Sequence, residues 1–264
     1  MTSIAAAVSA VLLAGEPREK IRLARAAARD WRLGRLDHRF DVFMPDRPAR
    51  PDLPELLPPS QMPKRGKGGS EKGRVALIHA LAHIEFGAID LAFDVVGRFG
   101  HEFPRAFVDE WMAVGADEAM HFALLDRRLG ALGSFYGAMP AHDGLWEAAT
   151  DTAQDSLARL AVVPMVLEAR GLDVTPATRD RFAAAGDAAT AAILNRILND
   201  EVRHVAAGSR WFGFGCAARG LEPIATWQAC VRQHFHGVLK PPFNDSAREA
   251  AGLTRDYYAP IARG

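Results

Sequence analysis

The chain has 264 residues, 49% of them hydrophobic, with 32 Lys and Arg balanced by 32 Asp and Glu. That is enough apolar material for one large domain, or for one domain with appendages. The even charge argues against a dedicated nucleic-acid binder, and two cysteines without a CxxC spacing exclude a disulfide framework and a cysteine-ligated zinc or iron–sulfur site.

In chain order, residues 1–43 read as an N-terminal helical extension. Two helices are expected, interrupted near Gly15-Glu16-Pro17, the second an amphipathic stretch PREKIRLARAAARDWRL. The opening apolar stretch lacks a basic n-region and runs into charged sequence, so it reads as a docking helix rather than a signal peptide. No apolar run approaches the roughly 20 residues of a membrane span. With Cys216 and Cys230 read as reduced thiols, a cytoplasmic protein with no membrane partner is expected.

Residues 44–69, MPDRPARPDLPELLPPSQMPKRGKGG, are too dense in proline for helix or sheet and should form an extended strap. KRGKGGS at its end lacks a Walker pattern and reads as a flexible lead or an anion loop. Between Pro17 and Val75 there are 15 Lys and Arg but 8 Asp and Glu, a basic surface open to solvent or to an anionic partner.

Residues 70–214 should hold four long helices. The first starts at Ser70 as N-cap and ends at Gly97 or Gly100; the second starts with Pro104 as N1 and ends at Gly130. The third runs from about Asp143 to Gly171, a short helix TPATRDRFAAA follows, and the fourth begins after Gly186-Asp187 and runs to about Gly213. Residues 215–264 form a tail, with a helix over 223–236 and an irregular segment LKPPFNDSAREAAG. The expected fold class is all-α, a four-helix bundle carrying N-terminal helices, the strap and a helical tail.

Two pentapeptides carry the chemistry: DEAMH at 117–121 and DEVRH at 200–204. In each, Glu and His are three apart and share a helix face, so Glu118 with His121 and Glu201 with His204 can each aim at one point. Trp111, Val114, Phe122 and Leu125 share the first of these faces; Leu194, Ile197, Leu198 and Val205 share the second. Both pairs therefore point into an apolar interior. Glu85 lies among Ile78, Leu81, Ala82, Ala88, Ile89 and Ala92, and Glu168 among Leu157, Ala161, Pro164 and Met165. A carboxylate on an apolar stripe is costly unless paired or bound to a cation.

The distance from Glu85 to Glu118 is 33 residues, and that from Glu168 to Glu201 is also 33. The chain is thus an internal repeat of helix pairs, each reading Glu, then Glu-x-x-His. One Glu from each of two helices and one Glu-x-x-His from each of two more is the donor set of di-iron and di-manganese carboxylate bundles. The competing reading, solvated acids and core histidines, suits any one of these residues better than it suits six together. On the opposite face of the Glu85 helix, His79, His83, Asp90 and Asp94 should form a polar seam against the strap or tail, a second metal site being the other reading. Pro164, one turn before Glu168, should bend its helix.

On the segments ALIHALAHIEFGAIDLAFD, VDEWMAVGADEAMHFALLDRRL, ILNDEVRHVAAGSRWF and LKPPFNDSAREAAG, the chain resembles the ferritin-like superfamily, and within it an uncharacterised bacterial family labelled a domain of unknown function. The resemblance covers about residues 45 to 255 and implies the ferritin-like bundle and two iron ions, or manganese, as the cofactor. By its analogy Glu118 and Glu201 bridge the ions while Glu85 and Glu168 each cap one. Asp117 and Asp200 would accept the second imidazole N–H across helices, Asp200 from His121 and Asp117 from His204; exposed neighbours of buried glutamates are the plainer reading.

Among relatives of that kind, ribonucleotide reductase subunits keep a radical tyrosine where this chain has Leu125, and all three tyrosines here lie outside the four ligand helices. That speaks against a radical generator, and two cysteines cannot build a rubrerythrin-type iron module. The expected activity is O2-dependent oxygenation of a small organic molecule, because the strap and tail could roof a pocket. The alternatives are a ferroxidase or peroxide-handling protein, whose additions would serve a homodimer, a tRNA-modifying hydroxylase, and a non-catalytic metal scaffold. With no nucleotide-binding glycine motif in the chain, an oxygenase would need an external reductase, an acidic ferredoxin meeting the basic excess being one candidate.

Overall fold

The computed structural model describes residues 1–62 and 70–263. It is helical almost throughout, and the chain divides into two compact units, Met1–Trp146 and Glu147–Gly264. Each unit contains one copy of the 33-residue repeat.

In the first unit, α1 (Ile4–Leu12) and α2 (Pro17–Arg32) precede α3 (Glu71–Phe99) and α4 (Arg105–Ala131). Ser3 caps α1, its hydroxyl accepting from the Ala6 N–H, and Pro17 opens α2. A two-residue parallel pairing of β1 (Thr2–Ser3) with β2 (Leu36–Asp37), which the sequence does not signal, ties the N-terminus back beyond α2. Ser70 caps α3, its Oγ accepting from Gly73 N at 3.1 Å. Pro104 is the N-cap of α4 rather than its first helical residue, one position off the sequence expectation.

The described part of the strap is extended, with a short 3-10 turn at Pro59–Gln61 and one bridge from Leu56 to Ala141. Residues 63–69, where the KRGKGG anion loop was placed, lie outside the described residues. Helix α3 continued to Glu102 is long and apolar enough to cross a membrane, which a plain search for uncharged runs does not find. In the fold 67% of its apolar window is buried inside the protein, where Glu85, Asp90 and Asp94 also lie.

The second unit departs more from expectation. The predicted third helix is broken: α5 (Gly144–Asp151), which spans the division between units, is followed by α6 (Ser156–Val162), capped by Asp155. Buried Arg159 accounts for the break, donating from Nη2 to the Ala149 carbonyl at 2.6 Å and from Nε to Thr152 Oγ1 at 2.9 Å. It satisfies the end of one helix from inside the next. A π-helical turn, Val163–Glu168, then leads into α7 (Ala169–Ala184).

Helix α7 does not stop at Gly171, and TPATRDRFAAA is not separate from it; α7 absorbs both, with Pro176 inside. Helix α8 (Ala188–Ala218), capped by Asp187 on Thr190 N at 2.9 Å, runs five residues beyond Gly213. The tail packs within this unit as α9 (Pro223–His234), α10 (Asp245–Ala250) and α11 (Arg255–Tyr258). Trp227 on α9 is buried and donates its indole N–H to the Ala161 carbonyl at 3.2 Å.

The LKPPFNDSAREAAG segment is irregular over 239–244, as expected, and then forms α10. Asn244 caps α10, and Arg248 makes a buried bidentate pair with Asp173 of α7 at 2.8 and 2.7 Å.

Candidate metal centre

In the first unit the donors converge as the spacing requires. Glu85 faces inward from the middle of α3, and Glu118 and His121 face inward from α4, all three buried, with Trp111, Val114, Phe122 and Leu125 buried on the same face of α4. Nδ1 of His121 lies 3.4 Å from an oxygen of Glu85 and 3.4 Å from an oxygen of Glu118. One imidazole nitrogen thus meets two carboxylates.

The electrostatics show what the arrangement calls for. Burial, and then the neighbouring Glu118 carboxylate, push the Glu85 carboxyl well above its ordinary range. Burial opposes a charge on His121, but bonding to Glu118 and Glu85 outweighs it and pushes the imidazole up to about 11. Two carboxylates this close and this dry disfavour joint ionisation without a cation between them. Carboxylate and imidazole are also the donors that iron and manganese accept. The residues present therefore fit a metal, and these donors could hold one.

The second unit repeats the theme. Glu201 and His204 are buried on α8, with His204 Nδ1 3.6 Å from Glu201 Oε1. Glu168 is half-buried at the end of the π turn, which packs on α8. The Glu201 side chain lies against the start of α7, its Cγ 4.0 Å from where a side chain on Gly171 would begin. Pro164 produces this local geometry: without an N–H it breaks the α-helical ladder, and the chain responds with a π turn rather than a simple bend.

Gly208, one turn after His204, lets Pro164 lie against α8. Sequence reasoning passed over this glycine, although its spacing from the Glu-x-x-His motif puts it on the same face.

The aspartates beside the motifs differ. Asp200 is buried and is held by Arg196 Nε at 2.5 Å and by Arg203, while Asp117 is half-buried on α4. The seam on the far face of α3 forms against the strap side of the first unit, and each member has a protein partner. His79 Nε2 accepts from Gly137 N at 2.9 Å, and His83 bonds Tyr136 and the His142 carbonyl. Asp90 pairs with Lys20, and Asp94 with Arg98 at 2.9 Å.

A cavity of about 60 Å³ lies under the strap, lined among others by Arg50, His83, Phe86, Asp90, Tyr136 and Trp146. None of the three first-unit donors lines it.

Residues 13–259 match the family described as "Protein of unknown function (DUF455)". An uncharacterised protein of Haemophilus influenzae is 40% identical over 213 residues, covering 78% of this chain and 74% of that protein. No solved structure matches the chain.

Proposed function

We propose that this chain, which belongs to the DUF455 family, is a dinuclear metal oxidoreductase of ferritin-like four-helix architecture that uses O2 to oxygenate a small organic substrate. The observation that carries the reading is the repeat: each unit presents a glutamate from one helical stretch and a buried Glu-x-x-His pair from the next, at the same separation of 33 residues.

Glu85, Glu118 and His121 would supply one half of the donor set, and Glu168, Glu201 and His204 the other. In this reading Glu118 and Glu201, together with Glu85 and Glu168, would supply the carboxylate donors that hold the ions. Two iron ions held there would supply reductive activation of dioxygen; the same donors accept manganese. The chain's own contribution is charge and dryness. Four carboxylates would balance the ions and the two imidazoles would bind in neutral form, while buried apolar neighbours such as Trp111 and Phe122 exclude water. Asp117 and Asp200 would accept the remaining imidazole N–H groups.

A second reading, a ferroxidase or peroxide-handling protein, is favoured by one observation: the cavity under the strap is not lined by the first-unit donors. An oxygenase needs a substrate within reach of its metals.

Metal analysis of protein purified anaerobically tests the proposal, with an expected content of two ions per chain and an optical change on exposure to O2. Glu118→Gln and His204→Ala should each lower the metal content. A wild-type chain that takes up neither iron nor manganese on reconstitution overturns the proposal. Oxygenation of an organic substrate driven by an added reductase supports the first reading, and iron or peroxide turnover alone supports the second.

A further inference from the structure

We propose that the second unit carries a binding pocket for a medium-chain aliphatic carboxylate, whose tail lies among apolar residues and whose charged end meets Arg232 and Arg263. The pocket forms just past the end of α9. There the ring of Phe235 lies over Gly237, where a side chain would begin 2.4 Å from the ring. Leu239 then accepts a hydrogen bond at its carbonyl from Arg263 N at 2.8 Å, which holds residues 260–263 alongside. The last turn of α9 and these two segments enclose about 370 Å³. That lies within the size range of small-molecule sites.

The lining joins apolar side chains to positive charge. Val231, Phe235, Val238 and Ile261 supply the apolar part, and Val238 is left 49% exposed. Arg232 and Arg263 supply the charge, and no Asp or Glu is among the described residues that line the pocket.

The state of the arginines points to a ligand. Every other arginine of the second unit has a partner within the protein, as Arg159 has in Thr152 and Arg248 in Asp173. The two guanidinium groups without a partner among the described residues both line this one apolar pocket. A guanidinium presents a planar fork of donors that matches a carboxylate. At about 30 Å³ for each water-sized atom, the volume takes about a dozen heavy atoms, the size of decanoate. The pocket is thus matched to its ligand in charge, polarity and length. None of the candidate metal ligands lines it, so the site stands apart from the function proposed above.

The test titrates decanoate into the full-length chain by isothermal calorimetry, and one decanoate per chain should bind. Decanol keeps the tail and lacks the charge, so it should bind at least about tenfold more weakly. Octanoate should also bind about tenfold more weakly, since each buried methylene contributes about fourfold. Arg232→Gln and Arg263→Gln should each weaken decanoate by about tenfold. Both side chains are exposed, so both variants should keep the fold. Chelation should leave the affinity unchanged.

Decanol binding as tightly as decanoate overturns the proposal on wild type alone, whatever the variants do. Arg232 also sits in the last turn of α9, where a cation suits the helix end. If Arg232→Gln lowers the melting temperature and neither variant changes the affinity, the arginines do not read a carboxylate and the proposal falls. It falls too if chelation abolishes binding, because a metal then holds the decanoate. No binding, with a dimer seen by light scattering, assigns the pocket to a second copy of the chain instead. Each of these failures leaves metal uptake by the six candidate ligands untouched.

Discussion

Gly208 lies on α8 one turn past His204 and two turns past Glu201, and a methyl group placed on it would sit 2.5 Å from both Cβ and Cγ of Pro164. A proline ring cannot rotate aside, so Gly208→Ala must push α8 and the π turn apart. Overpacking of this kind costs about 1–3 kcal/mol. Alanine offsets part of it, because replacing glycine within a helix contributes about 1 kcal/mol of propensity.

The net expectation is a loss of up to about 2 kcal/mol. Gly213 on the same helix is the control: nothing lies within 4 Å of its added Cβ. Gly213→Ala should therefore stabilise by up to about 1 kcal/mol. At about 2–4 °C per kcal/mol the two variants should melt on opposite sides of wild type, several degrees apart. Thermal melts followed by circular dichroism read the difference. Because Glu201 and His204 share the displaced face, Gly208→Ala should also weaken metal uptake while Gly213→Ala leaves it alone. If Gly208→Ala melts at or above Gly213→Ala, the close approach of Pro164 is not what shapes this face.

Chelation should lower the melting temperature, since metal at a hundredfold over its Kd contributes about 2.7 kcal/mol; an unchanged melt argues that nothing binds. Lys20 is fully buried and bonds Asp90 and the Val11 and Leu12 carbonyls, so Lys20→Met alone should cost about 3–5 kcal/mol and Lys20→Met with Asp90→Leu much less, read by urea titration of the double-mutant cycle. Burial raises the Asp90 carboxyl from 3.8 to about 7 although Lys20 opposes the rise. Its folded state therefore holds a proton that the unfolded chain has released, and this contribution to stability is full below about pH 4 and gone above about pH 7. Asp90→Asn should flatten the pH dependence of stability in that window; an unchanged slope would place the proton elsewhere. Arg248→Met should release α10 from α7 at a cost of about 3–5 kcal/mol, seen as faster proteolysis after residue 240.

Helical periodicity alone places the candidate ligands on inward faces; Glu85, Glu118, His121, Glu201 and His204 are buried on α3, α4 and α8, and Glu168 is half-buried at the π turn. Caps that depend on two or three neighbouring residues are equally legible, as Ser70 shows. These are local facts, carried by 3.6 residues per turn and by short side chains reaching nearby N–H groups.

What sequence order hides is every structure made by partners far apart in the chain. Arg159 breaks the third helix from inside, and Asp173 orders the tail by accepting from Arg248, 75 residues later. The seam residues His83 and Asp90 find partners at Tyr136 and Lys20, 53 and 70 residues away. Pro164 announces a distortion, but its resolution into a π turn depends on Gly208 admitting the ring. A buried polar group must find a partner somewhere, and the sequence states that need; the tertiary fold alone decides which distant group meets it, because the choice is made by packing geometry rather than by spacing.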